Sequence, residues 1–177
     1  MRKDAGVDGD AQRIGQMAWL LFLKIFDAQE EELELMGDNY ESPIPEALLW
    51  RNWAHDPKVK GKEGLDINGK PLKTGEGLLE FVNNSLFPQL KNLHATPTSN
   101  PRGFVAKEAF SDAFNYMKNG TLLRQVVNKV DEIDFHSSKE RHMFGDLYEQ
   151  ILKDLQSSGN SGELYTPCCD QVYGGND

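Results

Sequence analysis

Apolar residues recur along this chain every three or four positions, and no stretch shows the sustained alternation of a half-buried strand. Residues 1–9 are polar and glycine-containing and read as loose. Over residues 10–35, Ile14, Ala18, Leu21 and Ile25 step at helical spacing, as do Trp19, Phe22 and Phe26. One long helix is predicted there. Its central turn is apolar nearly all round, so burial on more than one side is expected. Glu30, Glu31, Glu32 and Glu34 crowd its end and read as a solvated face, and Gly37-Asp38-Asn39 stops it. Pro43 and Pro45 open a short helix carrying Leu48, Leu49, Trp50 and Trp53. Residues 54–76 are rich in Gly, Lys, Asp and Pro and predict a long loop, with room for a small β-hairpin near residues 64–73 turning at Asn68-Gly69.

A helix over residues 77–90 follows, with Leu78, Phe81, Val82 and Leu86 inward, and then a loop over 95–103 with two prolines. Three further helices are predicted. The first covers 107–119, burying Phe110, Phe114 and Met117, with Gly120 as its C′ residue. Thr121 caps the second, which runs to about Ile133 with Leu122, Val126 and Val130 inward. Ser137 and Glu140 form a capping box that starts the third, with Met143, Leu147, Ile151 and Leu155 at four-residue spacing. The fold class is therefore mainly α. Residues 1–157 form a compact helical domain, and residues 158–177 a loop and a disordered tail.

A length of 177 residues allows one domain with at most a small appendage, and 38% hydrophobic content suits a globular chain. The net charge of −9 argues against a stand-alone nucleic-acid binder, although partners in a complex can supply the cationic surface. Cys168 and Cys169 are adjacent, which disfavours a disulfide scaffold. His55, His94, His136 and His142 are scattered, so no metal-ligand spacing exists and no metal is expected. The longest apolar run, from Met17 to Phe26, is interrupted by Lys24 and is about half the ~20 residues that span a bilayer. Its flanks lack a signal-peptide cleavage site, so no membrane contact is expected and the cytoplasm is the default location.

The remaining candidates for chemistry have plainer readings. The glutamates at 30–34 suggest a wet helix end rather than a catalytic carboxylate cluster. Lys58, Lys60, Lys62, Lys70 and Lys73 make the basic-rich stretch, broken by Glu63 and Asp66. A loop is its plain reading, and phosphate contact within a complex its functional one. Trp50 and Trp53 read as core rather than as a base-stacking platform. Asn100-Pro101-Arg102-Gly103-Phe104 reads as a turn before the helix at Lys107.

Near the end of the chain, after the last predicted helix and a Ser/Gly/Asn loop, stands Gly162-Glu163-Leu164-Tyr165-Thr166-Pro167. It resembles the GExYTP segment of the modification (M) subunits of type I restriction–modification systems, which are S-adenosylmethionine-dependent adenine-N6 DNA methyltransferases. Two more landmarks agree in order and spacing. Leu21-Phe22-Leu23-Lys24, within residues 2–32, looks like the N-terminal helix of M subunits. Phe144-Gly145-Asp146-Leu147-Tyr148-Glu149 resembles the family's G-x-x-Y-E element. The resemblance covers most of residues 2–167.

The resemblance implies a helical N-terminal domain that helps close over DNA and engages a specificity (S) subunit and a restriction (R) subunit. It implies that Gly162, Glu163, Leu164, Tyr165, Thr166 and Pro167 form the edge of the S-adenosylmethionine site. Glycine there permits close backbone approach, Thr166 and the Tyr165 phenol offer hydrogen bonds, and an aromatic face packs on the sulfonium. The family's catalytic domain follows this segment, with a Gly-rich loop and an (N/D)PP(F/Y) motif that holds the flipped adenine. Neither motif occurs here, and the tail from Cys168 departs from the family pattern. The expectation is thus no catalytic residue and no catalytic domain in this chain, weak or absent methyl-donor binding, and methyl transfer only by a full-length parent. The alternative is a free-standing helical protein-interaction module without catalytic activity.

Overall fold

The computed structural model describes residues 1–136 apart from residues 2, 38 and 59–62. Helix α1, Asp10–Met36, is the predicted first helix with one more residue. The chain enters it through Gly9 at φ 86°, a left-handed conformation that costs glycine little. Its inner stripe is Gln16, Trp19, Leu20, Leu23, Phe26, Asp27 and Glu30, at steps of one, three and four. The expected row is thus displaced. Ala18 is exposed, and Ile14, Leu21 and Ile25 are half-buried. A helix apolar nearly all round gives periodicity no means of choosing which row faces the core.

A 3₁₀ turn, Glu46–Leu48, leads into α2, Trp50–Trp53. Both tryptophans are buried and meet edge to face with ring centroids 4.9 Å apart. The Trp53 indole donates to the Leu48 carbonyl at 3.1 Å, so burial leaves its N–H bonded. The core reading of this pair holds. The hairpin shrinks to a single antiparallel bridge between Leu65 and Pro71, and no strand occurs among the described residues. Its turn is as expected: Gly69 stands at φ 73°, and the Asp66 carboxylate accepts from the Asn68 and Lys70 N–H groups. Pro71 has no N–H with which to extend a ladder.

The helix predicted at 77–90 is three pieces: α3, Gly75–Phe81; a π turn, Val82–Leu86; and α4, Phe87–Lys91. Thr74 caps α3 by accepting from the Gly77 N–H at 3.0 Å. The π turn has a cause in the sequence. Pro88 cannot donate to the preceding turn, and its ring crowds the carbonyl four residues back. The backbone widens just ahead of it, and the Phe87 N–H reaches the Val82 carbonyl.

The next two helices correct the sequence reading. Helix α5 is Pro101–Ser111, not 107–119. Asn100 caps it, accepting from the Gly103 N–H at 2.9 Å, and Pro101 takes the first helical position. The segment read as a turn before the helix is its first turn. Phe110 is fully buried, whereas Phe114 lies beyond the helix and is 61% exposed. Helix α6 is Gly120–Asp131. Its cap is Asn119, which accepts from the Leu122 N–H, so Gly120 begins α6 rather than ending α5. The core takes Leu123, Val127 and Val130, while Leu122 and Val126 flank it. Helices α3 and α6 cross at Gly75 and Gly120, where a Cβ on either would stand 2.3–2.4 Å from the other's backbone. Small residues are required there for the crossing to close.

All six helices among the described residues contribute to one hydrophobic core, in which Trp19 and Phe110 pack on Phe87 from either element. No helix among the described residues is long and apolar enough to cross a membrane. Met1–His136 forms one compact unit, and residues from Ser137 onward belong to a second.

Candidate functional site

The methyl-donor segment at 162–167, the G-x-x-Y-E element and the helix predicted from Ser137 lie outside the described residues. The remaining landmark, Leu21-Phe22-Leu23-Lys24, sits at the centre of α1. Leu23 is buried, and Lys24 pairs with Asp131 on α6 at 3.1 Å. This landmark is a packing element, fastening the first helix to the last described one.

The acidic end of α1 is the expected solvated face only in part: Glu34 is exposed and Glu31 and Glu32 are half-buried, but Glu30 is not on it. Glu30 is fully buried, accepting from the Tyr40 hydroxyl at 2.8 Å and from the Arg102 guanidinium at 2.5–2.9 Å. Burial and the Glu30 carboxylate raise the Tyr40 phenol above its ordinary range. Arg102 also lies over the Phe26 ring, 5.0 Å from its centroid. Asp27 is buried as well. It accepts from the Arg51 N–H at 2.9 Å, and the Arg51 guanidinium continues to Glu34 and Glu31. Burial pushes Asp27 up to about 6, against the opposing pull of Arg51. These carboxylates tie α1 to α2 and to the first turn of α5.

Three more charges, Asp4 and Arg124 buried and Asp131 half-buried, tie helices and loops together. Asp131 gathers the Trp50 indole at 2.7 Å, Lys24 at 3.1 Å and His55 at 3.1 Å. Burial raises its pKa, but these partners outweigh it and hold the carboxyl below the usual range. Asp4 is likewise raised by burial and drawn lower overall by the N–H groups of Lys118, Gly6 and Asn119. Arg124 donates to the carbonyls of Ala54, His55 and Leu72, clamping both ends of the long loop to α6. Sequence reasoning missed all of these except as members of an acidic run. A signal existed for two: Asp27 and Glu30 extend the buried stripe of α1 through positions where an apolar residue is due.

Several cavities open on the surface of the described unit, two of them beside residues singled out in the sequence. A groove of about 300 Å³ between α1 and α5 is lined by Phe22, Ile25, Phe26, Gln29, Pro101, Arg102 and Val105. A cleft of about 480 Å³ with a mixed polar and apolar lining lies between the 66–74 turn and the π turn. Lys70 and Lys73, two of the five lysines singled out, line it together with Thr74, Asn84 and Ser85. Lys58 lies elsewhere on the surface, and Lys60 and Lys62 fall outside the described residues. Among the described residues no group of three His, Cys, Asp or Glu side chains is placed to hold a metal ion.

The geometry is that of a scaffold: buried ion pairs lock helices together, and the chemistry expected from the sequence lies further along the chain. Residues 1–130 match the family model described as the HsdM N-terminal domain. The type I restriction enzyme EcoEI methylase subunit of Escherichia coli is 68% identical over 167 residues, which is 94% of this chain and 31% of that protein. A chain from a structure of the type I R-M system, solved for its complex assembly and conformational transition, superposes with a TM-score of 0.70 at 30% identity. That superposition covers 94% of this chain and 30% of the other. The chain thus spans about a third of the length of the relatives it matches. It belongs to the HsdM N-terminal domain family.

Proposed function

We propose that this chain is the positioning domain of a type I restriction–modification methylase, whose whole polypeptide moves a methyl group from S-adenosylmethionine to adenine N6 in DNA. The observation that carries the reading is the 68% identity to the EcoEI methylase subunit across 94% of the chain. The helical unit places partner subunits and DNA, and Gly162, Glu163, Leu164, Tyr165, Thr166 and Pro167 form one edge of the methyl-donor site. The specificity and restriction subunits are its partners, and the cytoplasm its compartment. Chemistry belongs to the part of the parent that holds the (N/D)PP(F/Y) motif, which this sequence lacks. There the adenine amine attacks the sulfonium methyl, S-adenosylhomocysteine leaves, and the amine gives up a proton. One wall of a ligand site buries too little of the ligand to bind it well, so the 177-residue chain alone transfers no methyl group.

The test is a chimera in which this chain replaces the matching third of the E. coli relative. It is co-expressed with that relative's specificity subunit and assayed with S-adenosylmethionine carrying a tritiated methyl group. The reading predicts label at adenine N6 from the chimera and none from the chain alone. A soluble, assembled chimera without activity contradicts it.

A further inference from the structure

We propose that the cleft between the 66–74 turn and the π turn seats the phosphodiester backbone of a nucleic acid. Its volume of about 480 Å³ falls in the range of ligand sites. Lys70 and Lys73 line it, and neither makes an ion pair or a side-chain hydrogen bond among the described residues. From the opposite wall the π turn presents Asn84 and Ser85, whose side chains likewise make no hydrogen bond among the described residues. A π turn adds a residue to the helix and so re-aims side chains, a device frequent at functional sites. Thr74 accepts from the Gly77 N–H and keeps its hydroxyl proton to give.

With Asn68, which also lines the cleft, the wall therefore offers two ammonium groups, two carboxamides and two hydroxyls, all able to donate to phosphate oxygens. Two carboxylates also line the cleft. Asp66 is occupied by the N–H groups of its own turn, and Glu80 is exposed at the edge. They balance the two lysines, so a lone anion gains little there. A polyanion gains more, because each lysine that meets a phosphate releases condensed counterions. Lysine suits this role as a flexible point charge, and such contacts position the nucleic acid without reading its sequence. With a net charge of −9 the chain holds DNA weakly by this seat alone, as an auxiliary grip within a larger assembly. The inference rests on the reading that the parent protein works on DNA, but its test reads binding and not methylation.

The 177-residue chain, labelled with ¹⁵N, is titrated at low salt with a short DNA duplex, and in parallel with a mononucleotide and with inorganic phosphate. The duplex is expected to shift the resonances of Lys70, Lys73, Asn84 and Ser85, and the small anions to bind at least about tenfold more weakly. The double change Lys70→Gln/Lys73→Gln is expected to weaken duplex binding about tenfold and to flatten the plot of log K against log salt by about 2. Lys70→Arg/Lys73→Arg keeps both. Shifts elsewhere with the cleft silent, no shift at all, or wild-type affinity and salt slope in the glutamine variant would each overturn the seat. Equal affinity for phosphate or the mononucleotide overturns the backbone assignment and leaves a free-anion site. An inactive chimera alongside cleft shifts sinks the methylase reading and leaves the seat standing.

Discussion

Asp27 shows how much of this domain is decided by single charged side chains on apolar stripes. Its carboxylate is buried between α1 and α2, and burial raises it from 3.8 to about 6. The folded protein therefore takes up a proton at a higher pH than the unfolded chain does. The sign follows: Asp27's contribution is most favourable below about 4 and is lost as pH rises through about 6. Two pH units correspond to about 3 kcal/mol. In urea unfolding, the wild type should gain on Asp27→Asn as pH falls from 7 to 4, by up to about 3 kcal/mol. The asparagine can still accept from the Arg51 N–H, so the comparison isolates the charge. A stability difference between the two that is flat across that range would refute the assignment. Glu30 teaches the same lesson about reading sequence. A glutamate among glutamates at a helix end reads as wet, yet Arg102, seventy-two residues away, finds it in the core. Local pattern cannot show a partner at that separation.

At the scale of elements, the long first helix, the tryptophan turn and the helix ending near Lys91 were legible, because apolar periodicity and the Pro and Gly signals agree there. The later boundaries were not. Phe110, Phe114 and Met117 sit at helical spacing by accident, for the helix stops at Ser111 and Met117 is buried from an extended segment. Two start signals were present but given other roles: Asn100-Pro101 as a turn, and Asn119-Gly120 as a helix stop. This difference is measurable. Phe110→Ala should cost about 3–5 kcal/mol, the range for emptying a core aromatic. Phe114→Ala should cost under about 1 kcal/mol, since only the Lys91 and Tyr116 contacts are lost. Equal costs in chemical unfolding would restore the longer helix. The π turn was legible only in part, since Pro88 announces a disturbance without saying which kind.

For the whole molecule, family membership was legible from three short landmarks, whereas the way the domain is held together was not. Of the landmarks, only the one on α1 falls among the described residues, and it packs rather than reacts. That fits a domain whose work is to place others' chemistry. The free-standing interaction module is the weaker reading, because the close relative is a methylase subunit about three times longer than the stretch it shares with this chain. The central claim is that this chain carries one edge of a methyl-donor site and not the site itself. The measurement that bears on it most directly is calorimetric titration of S-adenosylmethionine into the 177-residue chain and into the chimera with the remainder of the E. coli relative. The chimera should saturate and the chain alone should not at micromolar donor. Saturation of the isolated chain at those concentrations would contradict the account, because the pocket would then be complete within it.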